Sequence, residues 1–303
     1  AASRSMDKLH ADEVETTSEL VRQLISEQFP EYKNLPITLN GSSGTDNVLY
    51  RLGDELVVRL PRVEWATAQI DKDKNWLPIL APQLPIDIPE QIAVGSPSAD
   101  YPFNWSIYRW ISGHTANVDT VPNPDQTATD LACFIKALRV IDPAGGPTDG
   151  YRGQQVRLRD EGTRQSLQEM DDLIDLEKAL QIWDECLTAA DWDGPSTWFH
   201  GDLMPGNILF ENGKLKAIID FGVLGVGDPA VDLMVAWFLL PAKSRPIFRQ
   251  AMGVGEDEWL RGKAWALSIS AVYVPYYRHT NLPGVAFCLR ALHEILDEAN
   301  HGS

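Results

Sequence analysis

Apolar residues recur at helical spacing in the first ordered stretch of the chain. Leu20, Val21, Leu24, Ile25 and Phe29 share one face, which predicts a helix over Thr17–Phe29 that Pro30 ends. The period then shortens. Ile37–Leu39, Asn47–Leu52 and Glu55–Leu60 read as strands, the last two joined by a Gly53-Asp54 turn. Gln69–Leu80 reads as a short helix with a proline near its end. The segment 81–102 is rich in Pro and Gly and holds one strand, Gln91–Val94. Asn104–Trp110 reads as another, which Ser112-Gly113 breaks.

Beyond Gly113 the pattern is mostly helical. Helices are predicted over Thr127–Arg139, Leu158–Leu176, Leu180–Ala190, Pro229–Leu240, Arg245–Met252, Glu256–Tyr273 and Val285–Ala299. One strand pair interrupts them. Asn207–Phe210 and Leu215–Ile219 flank Asn212-Gly213, a pair suited to a tight hairpin turn. The pattern divides the chain near Trp110–Gly113, into a strand-rich part at 1–110 and a helical part at 111–303.

Composition narrows the partners. The 303 residues carry 26 basic and 43 acidic side chains, a net charge of −17. That argues against nucleic acid or an anionic membrane surface as a partner. A cationic ligand is compatible, as is an acidic protein of the cytoplasm. Cys133, Cys186 and Cys288 are widely spaced, so neither a disulfide framework nor a zinc site is expected. No apolar run reaches the roughly 18–20 residues of a membrane span.

The densest chemistry lies between Phe199 and Gly222. Asp202 follows a His-Gly pair, Asn207 comes five residues later, and Asp220 ends an apolar run just before Phe221-Gly222. His200, Asp202 and Asn207 match the kinase pattern H-x-D-x-x-x-x-N, and Asp220–Gly222 matches D-F-G. Gly201 stands where protein kinases carry Arg. Gly227-Asp228-Pro229-Ala230 and Asp232 replace any A-P-E segment. HGDxxxxN, IDFG and GDPAxDL in this order resemble the aminoglycoside phosphotransferase family, small-molecule kinases with a protein-kinase-like fold.

The resemblance implies an α+β, two-lobe, protein-kinase-like fold, with a small β-rich N-lobe and a larger helical C-lobe. It also implies roles. Asp202 would orient the acceptor hydroxyl, and Asn207 and Asp220 would hold Mg²⁺. ATP or GTP would lie under the loop Gly41–Thr45, where Ser43, Gly44 and Thr45 would meet phosphate. Arg59 takes the place of the strand Lys that pairs with phosphates, and Asp73 is its expected partner, with Arg62 or Lys72 as alternatives. The Arg109 carbonyl and the Ile111 amide would bind adenine. His200 would support its loop, Asp228 would cap the helix at Pro229, and Asp232 would bond to the catalytic loop.

The resemblance favours an aminoglycoside-type antibiotic as the hydroxylated small-molecule acceptor, hence antibiotic resistance. A macrolide or a hydroxylated metabolite is the alternative, and a catalytically silent nucleotide-binding regulator stands as a different class. Tyr273, Tyr276 and Tyr277 would either wall an acceptor or pack in the core. The acidic groups Asp171, Asp172 and Asp175, and Glu256–Glu258, would line a cationic pocket or simply face solvent.

Overall fold

The computed structural model describes residues 13–43 and 46–298, and these divide into two compact units. The first takes the residues up to 82, then 87–112 and 218–222. The second takes 83–86, 113–217 and 223 onward.

The first unit begins with α1 (Ser18–Gln28). Thr17 caps it by accepting the Leu20 N–H at 3.1 Å, a bond that a cap Ser or Thr is suited to make. Strands β1 (Ile37–Ser43), β2 (Asn47–Leu52) and β3 (Leu56–Pro61) follow. Then come α2 (Ala68–Leu80), β4 (Gln91–Gly95) and β5 (Trp105–Arg109). The sheet is antiparallel in the order β1-β2-β3-β5-β4. Val21, Leu24 and Ile25 of α1 join Val48, Tyr50, Leu52, Val58, Leu60 and Ile107 of the sheet in one apolar cluster. Each aliphatic chain so buried contributes roughly 1.5–3 kcal/mol. In α2, Ile70, Asp73, Leu77 and Leu80 form the buried face at helical spacing. An acid at a core position demands a partner, and the sheet supplies one.

The second unit holds α3 (Pro124–Arg139), α4 (Asp160–Gln168), α5 (Leu176–Cys186) and β6 (Thr197–Phe199). The hairpin β7 (Ile208–Glu211) and β8 (Lys214–Ile218) follows, and β8 ends where the chain passes into the first unit. Next are β9 (Gly225–Gly227), α6 (Val235–Phe238), α7 (Arg245–Met252), α8 (Glu256–Tyr277) and α9 (Leu282–Glu298). Among the described residues no helix is long and apolar enough to cross a membrane, and all three cysteines are free thiols.

Three local expectations are corrected. The single helix over Leu158–Leu176 is α4 alone, after a short 3-10 turn at Val156–Arg159. The chain then turns, and Asp175 starts α5 by accepting the Lys178 N–H at 3.1 Å. That cap moves α5 four residues ahead of the predicted start at Leu180. Pro229–Met234 forms a 3-10 turn instead of an α-helix, and only Val235–Phe238 continues as α6. Every side chain from Pro229 to Met234 is buried. The third correction is an unforeseen pair, β6 with β9, in which Thr197 faces Gly227 and Phe199 faces Gly225. A Cβ on Gly225 would lie 2.9 Å from the Phe199 ring, and one on Gly227 would lie 2.4 Å from the Gly153 carbonyl. Both positions therefore exclude side chains.

Candidate active site

The loop between β6 and β7 carries the catalytic pattern, and the second unit braces it from several directions. Asp232 is fully buried. Its two carboxylate oxygens accept the His200 N–H at 2.8 Å and the Gly201 N–H at 2.7 Å. Burial pushes the Asp232 carboxyl above its ordinary value, against the pull of His200, these two N–H groups and Arg139. Next door, Asp228 accepts the Ala230 N–H at 3.0 Å and receives the Arg261 Nε at 2.9 Å. It caps the turn at Pro229, as the Asp-Pro dipeptide predicts.

Within the loop, His200 is buried and its Nδ1 accepts the Asp202 N–H at 3.1 Å. The ring proton therefore sits on Nε2. Asn207 donates its side-chain amide to the Asp202 carbonyl at 2.8 Å and to the Asp202 carboxylate at 3.2 Å. Gly201 has φ +88°, and a Cβ there would meet Val223, Phe199 and Arg152 at 3.0–3.3 Å. The left-handed backbone and the lack of space both call for glycine.

The first unit carries the other set of polar groups. The Arg59 Nη1 lies 3.8 Å from the Asp73 Oδ2, both side chains nearly fully buried. The Tyr108 hydroxyl donates to the same Asp73 oxygen, and the Arg59 guanidinium lies 4.9 Å over the Tyr108 ring. Burial raises the Asp73 carboxyl to about 6, while Arg59 and the Tyr108 hydroxyl oppose the rise and Asp220 adds to it. Burial also works to lower Arg59, but Tyr108, Asp220 and Asp73 outweigh it and hold the guanidinium above its ordinary value. Of the alternatives for Arg59, Arg62 pairs with Glu13 at 3.6 Å and Lys72 donates to the Gly222 carbonyl at 3.0 Å.

Asp220 follows β8 by two residues and adopts φ +58°. Asp tolerates this left-handed region better than most residues do, and such strained positions concentrate at functional sites. Its Oδ1 accepts the Gly222 N–H at 3.2 Å and faces the Gln69 amide at 3.4 Å.

The remaining expected residues fall as follows. Ser43 ends β1 opposite Asn47, and Gly44 and Thr45 lie outside the described residues. Arg109 closes β5 with its side chain turned to Glu90 at 2.8 Å, and Ile111 follows just past the strand end. The Tyr273 and Tyr277 rings lie 4.5 Å apart, tilted by 38°, near the end of α8, with Tyr276 65 % exposed beside them. Of the acidic groups offered for a cationic pocket, Asp171 is exposed to solvent and the other five are engaged within the protein. Asp172 holds Arg278, Asp175 caps α5, Glu256 holds Arg249, Asp257 accepts the Ala190 N–H, and Glu258 holds Arg139.

Sequence reasoning missed Tyr108, Gln69, Arg152 and Arg159. Tyr108 was accessible to it. Arg59 faces Ser106 across the β3-β5 ladder, and Tyr108, two residues on, lies on the same face.

Asn207 of the second unit and Asp220 of the first each carry a donor of the kind magnesium takes. The Asn207 nitrogen is spent on Asp202, so its carbonyl oxygen is the atom a cation would take. An amide oxygen and a carboxylate are hard ligands. Magnesium commonly keeps water and phosphate oxygens for its other positions. Among the described residues no three His, Cys, Asp or Glu side chains form a metal cluster, and a site of that kind requires none.

The profile of the phosphotransferase enzyme family matches residues 39–265. The chain belongs to that family. An aminoglycoside 3'-phosphotransferase of Escherichia coli is 26 % identical over 156 residues, covering 48 % of this chain and 58 % of the relative. The match thus spans a little over half of that relative's length. Among solved structures, the GDP complex of a mutant aminoglycoside 2'-phosphotransferase-IIIa superposes with a TM-score of 0.71 at 20 % identity. It covers 94 % of this chain and 99 % of the other. A macrolide 2'-phosphotransferase type I gives a TM-score of 0.64 at 18 % identity over 90 % of this chain and 96 % of its own. Both likenesses bear out the kinase-like α+β fold expected from the sequence.

Proposed function

We propose that this family member moves the γ-phosphoryl group of ATP or GTP to a hydroxyl of a small molecule. The observation that carries the reading is the braced loop. Asp202 has its backbone N–H on His200, its carboxylate on Asn207, and its loop pinned by Asp232. A carboxylate held this way can orient an acceptor hydroxyl and take its proton late in the transfer. An ordinary carboxylate is a weak base for an alcohol, so orientation is the larger contribution.

Asn207 and Asp220 would hold Mg²⁺, which when bound neutralises charge on the phosphate oxygens. Arg59 would meet a phosphate, kept in place by Asp73 and Tyr108. Ser43, Gly44 and Thr45 would cover the phosphates, and the Arg109 carbonyl and Ile111 amide would recognise the base. A nucleoside triphosphate as donor supports the cytoplasm as the expected compartment.

Relatives named for aminoglycosides and macrolides suggest those acceptors. Five of the six acidic groups offered for a cationic pocket are spent on arginines and backbone N–H groups of the same unit, which favours the third expected class, a hydroxylated metabolite. The test is a panel of aminoglycosides, macrolides and metabolite alcohols, with Mg²⁺-dependent nucleotide turnover as readout. Failure of ATP and GTP to bind with Mg²⁺ sinks the reading.

A further inference from the structure

Two arginines of the second unit lack the partner that its other arginines have. The rest each reach a carboxylate, from Arg139 on Glu258 at 3.1 Å to Arg290 on Asp119 at 2.8 Å. Arg152 and Arg159 make no such pair among the described residues. In a chain with 43 acidic side chains against 26 basic ones, that omission is informative.

Each is held by uncharged groups through its Nε. The Arg152 Nε donates to the Gly201 carbonyl at 3.1 Å, on the residue directly before Asp202. The Arg159 Nε donates to the Ser268 hydroxyl at 2.7 Å, and Ser268 is itself buried against Thr163 at 2.7 Å. The Arg159 guanidinium also lies 5.3 Å over the Trp265 ring. The two Nη nitrogens of each arginine make no hydrogen bond to protein among the described residues. A guanidinium fixed at Nε and open at its Nη edge is set up to grip a carboxylate or phosphate with two parallel bonds.

Both side chains are half-buried, flanked by protein yet open to water. Burial lowers Arg152, although the nearby Asp202 carboxylate pulls the other way. Burial and the neighbouring Arg152 charge together bring Arg159 down to about 10. Two cations that sense one another, partly desolvated and with no carboxylate in direct ion-pair contact among the described residues, are unfavourable unless an anion joins them.

We propose that Arg152 and Arg159 bind an anionic group, a carboxylate or phosphate, on the acceptor whose hydroxyl is presented to Asp202. The acceptor is then a hydroxy acid or a hydroxylated phosphate ester rather than a polycationic aminosugar. This rests on the phosphotransferase reading. It extends that reading because Arg159 is tied to α4 and α8, elements that carry none of the residues assigned to the nucleotide.

The test has a catalytic arm and a binding arm. In the first, gluconate is compared with sorbitol, glucose 6-phosphate with glucose, and both pairs with kanamycin. The anionic member of at least one pair should exceed its neutral counterpart at least tenfold in kcat/KM. Arg159→Leu should raise its KM at least tenfold, and Arg159→Lys should raise it less. Kanamycin or a neutral alcohol turning over as well as the anionic compounds overturns the proposal. So does a loss in the variants that falls on nucleotide KM instead of acceptor KM.

In the second arm, calorimetry with sulfate alone should show saturable binding that weakens at least tenfold in Arg159→Leu and in Arg152→Leu. Absence of saturable binding, or binding unchanged in both variants, also overturns it. If neither ATP nor GTP binds with Mg²⁺, the phosphotransferase reading falls separately, and the sulfate result still judges the anion site.

Discussion

The side-chain amide of Asn207 donates to both the backbone carbonyl and the carboxylate of Asp202, at 2.8 and 3.2 Å. One residue thereby fixes the direction in which the acid points and commits its own oxygen to face elsewhere. The carboxylate is held in one orientation, and under the proposed function that orientation is its contribution.

Asp202→Ala should therefore keep the fold and the affinity for Mg²⁺-nucleotide while losing at least ~90 % of kcat, a barrier increase above about 1.4 kcal/mol. Steady-state turnover and calorimetric nucleotide binding check the two halves. A variant retaining more than about a tenth of kcat would remove Asp202 from the role of orienting acid.

Asp220→Asn keeps the size of the side chain and removes its charge. Nucleotide affinity measured with Mg²⁺ should fall by more than the affinity measured in EDTA. An equal loss in both conditions would mean that Asp220 does not ligate the metal.

Asp73 makes a prediction about acidity. Its carboxyl sits at about 6 in the folded protein, against an ordinary value of 3.8. The folded state therefore binds the proton more tightly than the unfolded one. The resulting stabilisation is fully present below about pH 4 and is lost as pH rises through about 6. Relative to Asp73→Asn, which cannot titrate, the natural protein should gain on the order of 2 kcal/mol between pH 7 and pH 4. Urea unfolding of both proteins at the two pH values measures this difference. A difference that stays constant or reverses sign would show that Asp73 is not held as a high-titrating acid.

Gly201→Ala introduces a methyl group where the backbone is left-handed and Val223, Phe199 and Arg152 crowd in at 3.0–3.3 Å. It should cost on the order of 1–3 kcal/mol and reduce kcat, since the displaced residue adjoins Asp202. Thermal unfolding and turnover test it together. Unchanged values in both would show that the loop accommodates a Cβ.

Much of the candidate site was legible because it is local. His200, Asp202 and Asn207 lie within eight residues, and their brace is made by neighbours along the chain and by the single distant acid Asp232. Long amphipathic segments such as α1, α3 and α9 also declared themselves through their period. What escaped was either too short or too far apart in sequence. Strands β6 and β9 have three residues each and pair across more than twenty residues, so no periodic signal exists to read. The predicted helix Leu158–Leu176 concealed a break because its charged residues suit a helix surface as well as a turn. Asp175, with its N-cap bond, was the signal that could have exposed it. Arg152 and Arg159 look like ordinary surface arginines until the partners of the others are known.

Asp232 also offers a window on the loop that needs no substrate. Two backbone protons, those of His200 and Gly201, point straight at its buried carboxylate oxygens. Short bonds to a carboxylate deshield amide protons and slow their exchange with solvent. In a proton–nitrogen NMR spectrum the two resonances should stand at low field and persist in deuterated water. They would report, variant by variant, whether the machinery is assembled before any acceptor is known.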